Sequence, residues 1–364
     1  MKKVVTFTLM VIAFLMILGL GAITTVLVQE GITKTYEQMT PEERAAAIKK
    51  EGMIVSYGMP DSWANLGEIW KTFTERYGIK HIDTDMSSAE ELTKFLAEKD
   101  KPVADVGDIG IMFGPKGVEM GVLAPHKNPY WNEIPDWAKD PNGYWCAEYT
   151  GTIAFLVNTK KVKNVPKKFA DLLKPEYKGK VSFDDPVRSA RGQAAVLAAA
   201  IANGGDEKNI QPGINFFKKL IKAGNYRPVL PLPGNIQKGE IAIAIMWDFN
   251  ALNYKATLNM PELTVVIPSD GSVVMAYVAI INKYAPHPIA ARAFNDFLFS
   301  DETQIMYAKG FARPIRNVKL PPEVAAKMLP ASAYAKAKPV KDLKAWEETS
   351  KKLPQLWEEQ VLAQ

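Results

Sequence analysis

Glu148-Tyr-Thr-Gly-Thr-Ile-Ala-Phe-Leu-Val-Asn-Thr-Lys-Lys-Val162 and Asp270-Gly-Ser-Val-Val-Met-Ala-Tyr-Val-Ala-Ile-Ile-Asn-Lys283 repeat one pattern more than a hundred residues apart. Each opens with a turn, continues as an apolar run of strand length and leaves through polar residues. A chain needs such a pair if it crosses twice between two lobes. The pattern therefore predicts a two-stranded hinge near residues 150–158 and 271–281, with lobe 1 built from 30–152 and 278–364 and lobe 2 from 153–277.

The bulk numbers agree with two lobes. A chain of 364 residues is long for a single domain and matches about two. With 47% hydrophobic and 23% charged residues it is neither disordered nor a multi-span membrane protein. The formal charge of +5 drops to +3 without Lys2 and Lys3, too little to argue for nucleic acid. Cys146 is the single cysteine, so no intramolecular disulfide forms and stability must come from packing. Residues 1–29 read as a signal peptide or a retained N-terminal membrane anchor: two lysines precede an uncharged run from Val4 to Val28. Both outcomes place the body outside the cytoplasm, and the leader has no cysteine for a lipid anchor.

In the body, Thr40 followed by Pro41, Glu42 and Glu43 starts a helix that Gly52 ends. Met53–Tyr57 is then a strand, Gly58–Ser62 a loop and about 63–77 a helix with Leu66, Ile69, Trp70 and Phe73 in helical spacing. The order repeats with strand 80–84, loop 85–88, helix 89–98 and strand 103–108. Strand and helix in alternation imply an α/β lobe with a parallel sheet. Between the crossings a second α/β lobe is expected from strand 181–183, helices 193–203 and 213–223, strand 241–246 and a loop 247–254. Residues 125–149 read as an ordered loop, and two helices, 288–300 and 301–309, follow Lys283.

Lys50-Glu-Gly-Met-Ile-Val-Ser-Tyr57, the Tyr-Thr-Gly-Thr crossing, Phe169-Ala-Asp-Leu-Leu-Lys-Pro-Glu-Tyr-Lys-Gly-Lys-Val181 and the stretch from Ala285 to Gln304 together resemble extracellular solute-binding proteins of ABC importers. The similar group is the type II one, which includes ferric-ion, phosphonate, sugar-phosphate and polyamine receptors, and the likeness spans about residues 45–320 in order. It implies two α/β lobes that close on a solute and deliver it to an importer permease, with the receptor expected as a monomer.

Ligands of parallel α/β sheets sit beyond the carboxyl ends of the strands. This points to Ser56, Met59, Asp61, Ser87, Ser88 and Asp108 in lobe 1, to Thr150 and Thr152 on the crossing, and to Arg188, Ser189, Arg191, Trp247, Asp248, Asp270 and Tyr277 facing them. Ser87 and Ser88 also fit a capping box with Glu90 and Glu91. Ferric receptors of the group use adjacent tyrosines after the lobe 2 strand; here that loop is Trp247-Asp-Phe-Asn and Tyr254 stands alone. Polyamine receptors need carboxylates and aromatic faces, which Asp61, Asp108, Asp248, Asp270, Trp63, Trp247 and Tyr277 could supply. Their Trp-x-Asp at the second crossing is replaced by Val274-Met275-Ala276. An anion would use Ser87, Ser88, Thr150, Thr152, Arg188, Ser189 and Arg191; the other reading of the arginines is a salt bridge to Asp184 or Asp185. The sequence favours a small organic anion, a phosphonate or phosphorylated solute.

A cysteine enzyme on the same fold is the rival, with Cys146 as its only nucleophile. His81, His126 and His287 form no recognisable motif with it, so an inert buried thiol is expected. No zinc spacing, phosphate-binding glycine loop or dinucleotide fingerprint is present in the body, so no cofactor and no metal are expected. A membrane-tethered scaffold that binds no solute would leave the polar strand-end loops without a role.

Overall fold

A computed structural model describes residues 34–363. The leader expected at 1–29 lies outside those residues, and among the described ones no helix is long and apolar enough to cross a membrane. In chain order the strands are β1 (Met53–Tyr57), β2 (Lys80–Thr84), β3 (Val106–Gly110), β4 (Trp145–Asn158), β5 (Val181–Ser182), β6 (Ile243–Trp247), β7 (Leu263–Val266), β8 (Ser272–Ile281), β9 (Arg313–Pro314) and β10 (Ala337–Pro339).

Local signals start lobe 1. Thr40 and Glu43 close a reciprocal capping box on helix Pro41–Glu51, and Gly52 ends it in the left-handed region at φ 75°. The chain then enters β1, which pairs in parallel with β2 and β3. β8 runs antiparallel beside β3, and β4 beside β8, giving the order β2-β1-β3-β8-β4. The core beneath is aromatic: Trp70 lies flat between His81 at 3.6 Å and Phe294 at 3.7 Å.

β4 carries the chain into lobe 2. Its fourteen residues are all buried, as an apolar run covered on both faces must be. Residues up to Thr152 pair with β8, and from Ile153 the strand pairs with β6 and β7 instead, in the order β7-β4-β6-β5. The two long strands quoted at the outset thus form the double connection of a mixed α/β fold with two lobes. At its start β8 is also flanked by β10, and Ser272 donates its hydroxyl to the Ile153 carbonyl at 2.6 Å.

Three features depart from the sequence reading. Residues 248–257 are a helix rather than a loop, because Ala251 and Leu252 follow Asp248 with no glycine or proline to stop a turn. Strand β4 begins at Trp145, inside the segment read as loop. The C-terminal end does not stay with lobe 1: helix Leu343–Trp357 lies against Ile111–Phe113, while Trp357 packs on Phe217 at 5.5 Å and Phe183 at 6.0 Å. Trp346, Leu353 and Trp357 form one buried stripe, and that stripe needs apolar surface from both lobes.

Candidate functional site

β3 ends at Gly110, and the antiparallel register sets Tyr277 of β8 opposite it and Tyr149 of β4 opposite Tyr277. The Tyr149 and Tyr277 rings stack with centroids 5.4 Å apart and planes 10° from parallel. Trp63 comes from the turn before helix Leu66–Tyr77, where Ala64 and Asn65 take positive φ angles of 44° and 63°. That reversal presents its indole edge-on to Tyr277 at 5.4 Å and to Phe249 of lobe 2 at 5.1 Å. The indole Nε1–H donates to the Tyr149 hydroxyl at 2.6 Å, and Tyr149 donates to Asp108 Oδ2 at 2.6 Å.

Behind this aromatic wall lie three buried acids. Glu148, adjacent to Tyr149, accepts from the Tyr307 hydroxyl. Glu91, on helix Ser88–Ala97, sits between two glycines: a Cβ on Gly58 would lie 2.2 Å from its Oε1 and one on Gly107 2.4 Å from its Oε2. Glu91 Oε2, Asp108 Oδ1 and Glu148 Oε1 have no hydrogen-bond donor among the described residues. Burial pushes Asp108 up to about 7, with Tyr149 pulling the other way. Burial, then the neighbouring Asp108 charge, raises Glu91 and Glu148 well above the carboxylate range.

Lobe 2 is arranged differently. Asp248 opens its helix with Oδ1 accepting the Thr152 N–H at 2.8 Å and Oδ2 accepting the Tyr334 hydroxyl at 2.6 Å. The Arg313 guanidinium lies 3.7 Å over the Tyr334 ring. Arg191 forks onto both oxygens of Asp184, one through Nη2 at 3.0 Å, and Nη1 reaches Asn250 at 3.4 Å. Gly151 on the crossing is required: a Cβ there would be 2.7 Å from the Phe249 ring.

The structure brings together Asp108, Thr150, Thr152, Trp247, Asp248 and Tyr277, with Arg191 close by through Asn250. Ser56 is buried under the strand end, donating to Asp83 at 2.6 Å and sharing a 2.8 Å bond with His81. Met59 is buried too, its N–H on Asp83 at 3.0 Å. Asp61 and Ser87 are exposed, and Ser87 caps its helix with Glu90. Ser88 accepts the Gly110 N–H at 3.1 Å. Ser189 caps helix Ala190–Ala202, and Arg188 points to solvent 4.0 Å from Asp185. Asp270 is turned away from the wall, accepting the N–H groups of Phe169 and Ala170 at 3.0 and 3.3 Å.

Cys146 is buried, and burial raises its thiol, the opposite of what a nucleophilic thiolate requires. Among the described residues no three His, Cys, Asp or Glu side chains are placed to hold a metal ion. A groove of about 620 Å³ lies away from the strand ends, between Asp136–Trp145, Asp206–Lys208 and Val340–Leu343. Several of its charges are already engaged, Lys208 with Asp342 at 2.9 Å and Glu207 with the Lys341 and Asp342 N–H groups.

Residues 101–341 match the family described as bacterial extracellular solute-binding protein. This chain belongs to that family. The solute-binding protein is 24% identical over 254 residues to a Salmonella typhimurium periplasmic protein named for 2-aminoethylphosphonate binding, covering 67% of this chain and 72% of the relative. It is 29% identical over 197 residues to the spermidine/putrescine-binding periplasmic protein of Escherichia coli, covering 51% and 55%. Its fold matches the periplasmic binding protein AfuA of Actinobacillus pleuropneumoniae, solved with fructose-6-phosphate, with TM-score 0.71, 23% identity, and coverage of 86% and 99%. In this solute-binding protein the sequence reading missed Glu91, Glu148, Tyr149, Phe249, Tyr307 and Tyr334. The Glu148-Tyr149 pair stood at the head of the first crossing, and only strand register shows where it points.

Proposed function

We propose that this protein is the extracytoplasmic receptor of an ABC importer, closing on a small organic solute that carries a primary ammonium group and handing it to a membrane permease. The observation that carries the ammonium assignment is the wall of Trp63, Tyr149 and Tyr277 set in front of Asp108 and Glu148, each of which keeps one oxygen without a donor. Aromatic faces and carboxylates are the surroundings an alkylammonium prefers. An anion-only ligand is less well served, since Arg191 is already neutralised by Asp184. The reading also joins the two relatives above: aminoethylphosphonate and putrescine share an ammonium on a short methylene chain. An aminoalkylphosphonate suits both walls, its ammonium toward lobe 1 and its anionic end toward Arg188, Ser189 and the start of helix Ala190–Ala202. A ferric ligand is disfavoured because burial raises the Tyr149, Tyr277 and Tyr307 hydroxyls, away from the tyrosinate that iron needs.

Thermal unfolding of residues 30–364 with 2-aminoethylphosphonate, ethylphosphonate, putrescine, fructose-6-phosphate and ferric citrate tests this. A solute at about 100 times its dissociation constant stabilises by about 2.7 kcal/mol, a readily seen shift. The aminoethyl compound is expected to shift the midpoint and the ethyl compound not to. Equal shifts from both would remove the ammonium from the reading while leaving the receptor intact.

A further inference from the structure

Glu148 and Tyr149 are consecutive on β4, and successive side chains of a regular strand point to opposite faces. Yet Tyr149 donates to Asp108, and the Glu148 carboxyl lies within hydrogen-bonding reach of the same Asp108. The strand reconciles the two by an irregularity: the register against β8 shifts between Ala147 and Tyr149, leaving Glu148 as the extra residue. Bulges of this kind re-aim side chains next to sites. Here it turns an acid inward toward another acid, with both fully buried.

The hydrogen-bond count at this pair is incomplete by one proton. Asp108 Oδ2 is taken by Tyr149 and Glu148 Oε2 by Tyr307. Asp108 Oδ1 and Glu148 Oε1 are both shielded and have no N–H or O–H donor. The facing groups are Glu91 from helix Ser88–Ala97, Asp83 from β2, Tyr277 from β8 and Tyr307 from helix Asp301–Lys309. None of these is cationic, and no lysine or arginine among the described residues makes an ion pair with either acid. Two bare carboxylates so placed would repel each other in a medium that screens poorly, whereas one proton between them turns that repulsion into a hydrogen bond.

We propose that Asp108 and Glu148 share a single proton, and that Glu148 is thereby a positioning residue for the cleft wall, fixing the Asp108 carboxyl and, through it, the Tyr149 hydroxyl and the Trp63 indole. The chain of bonds is continuous: Trp63 Nε1–H to Tyr149, Tyr149 to Asp108, Asp108 to Glu148, and Tyr307 to Glu148 from behind. The Asp108–Glu148 pair then carries one negative charge rather than two, and its protonation sets how the indole edge is held. The inference stands whether or not the solute carries an ammonium.

Infrared spectroscopy of the unliganded protein tests it, because a protonated carboxyl has its own C=O stretch. At pH 7 the wild type is expected to show that band, with one component lost in Glu148→Gln and the same component lost in Asp108→Asn. Glu91→Gln identifies the separate contribution of the third acid. In two-dimensional NMR the Trp63 indole N–H resonance is expected to move with pH in the wild type, in step with loss of that infrared component, and to stand still in Glu148→Gln. Circular dichroism confirms that Glu148→Gln, an isosteric change, is folded. A wild-type spectrum whose protonated-carboxyl intensity is no greater than the part lost in Glu91→Gln overturns the shared proton. An indole resonance that titrates identically in wild type and Glu148→Gln overturns the positioning role.

Discussion

On the lobe 2 side of the cleft Arg191 is met by Asp184, and Asp248 by the Thr152 N–H and the Tyr334 hydroxyl. On the lobe 1 side Glu91, Asp108 and Glu148 each keep an oxygen without a donor. Both walls are buried and both carry charge-capable groups, so burial alone does not explain the contrast. At Arg191 and Asp248 lobe 2 has its partners built in, and there it behaves as a finished surface. Lobe 1 holds acids at a cost that a cationic group in the cleft would offset, since an unpaired buried charge is disfavoured and a partner favours the ionised form.

The strongest way to break this contrast is to unfinish lobe 2. Asp184→Ala leaves the Arg191 guanidinium buried with no carboxylate, beside Asn250 at 3.4 Å and the Tyr254 hydroxyl, and removing one partner of a buried pair costs about 3–5 kcal/mol. Urea unfolding of the variant is expected to show a loss of that order. A loss below about 1 kcal/mol, the range of exposed pairs, would mean that water reaches Arg191 and that lobe 2 is no better sealed than the surface.

The lobe 1 acids give a dependence on pH. Burial raises Asp108 to about 7, against about 3.9 in an unfolded chain. The folded protein therefore holds this proton more tightly than the unfolded one. The group's contribution is complete below about pH 4 and declines by about 1.4 kcal/mol per unit until about pH 7, where it levels off. Asp108→Asn removes that slope, so the variant is expected to gain on the wild type in unfolding free energy at pH 5, 6 and 7. A constant difference over those three values would mean that Asp108 is ionised in the fold, and the two walls would be alike.

A smaller effect comes from the glycines that admit Glu91. In Gly107→Ala the new Cβ would lie 2.4 Å from Glu91 Oε2 and 3.3 Å from Ile280, and Glu91 cannot retreat because Gly58 closes on its other oxygen. Overpacking of this kind costs about 1–3 kcal/mol. In a Glu91→Ala background the same change is expected to be milder, with a coupling of about 0.5–3 kcal/mol between the two sites. Additive losses would show that the acid is not wedged between the two strand ends.

Much of this was legible in the sequence, and the reasons are local. Caps and breakers gave helix Pro41–Glu51 and its stop at Gly52, and the paired Tyr-Thr-Gly-Thr and Asp-Gly-Ser runs marked the two long strands β4 and β8. The possible bridge from Arg191 to Asp184 was also visible, as neighbours before a helix. What stayed hidden depends on register and on contacts between distant segments. Glu91 looked like a capping-box acid, yet Glu90 takes that role and Glu91, one residue on, turns inward. Glu148 became an inward acid only through the bulge, which no periodicity announces. Asp270 looked like a cleft residue because it heads a crossing, but its oxygens face the backbone of Phe169 and Ala170.

Arg188 is where the contrast can be sharpened most cheaply. Its side chain is 87% exposed and its nearest acid, Asp185, is 4.0 Å away, so Arg188→Ala is expected to leave stability within about 0.5 kcal/mol of wild type. If lobe 2 is finished, Arg188 acts on an anionic solute only through solvent, by attraction that falls within a Debye length of about 8 Å and weakens with salt. Calorimetric titration with 2-aminoethylphosphonate is then expected to show a loss of less than about threefold, smaller still at high salt, with putrescine unaffected or slightly improved. A loss of tenfold or more for the phosphonate that persists at high salt would mean a direct, desolvated contact. Lobe 2 would then carry an open charge of its own, and the two walls would divide the solute between a cationic and an anionic end on equal terms.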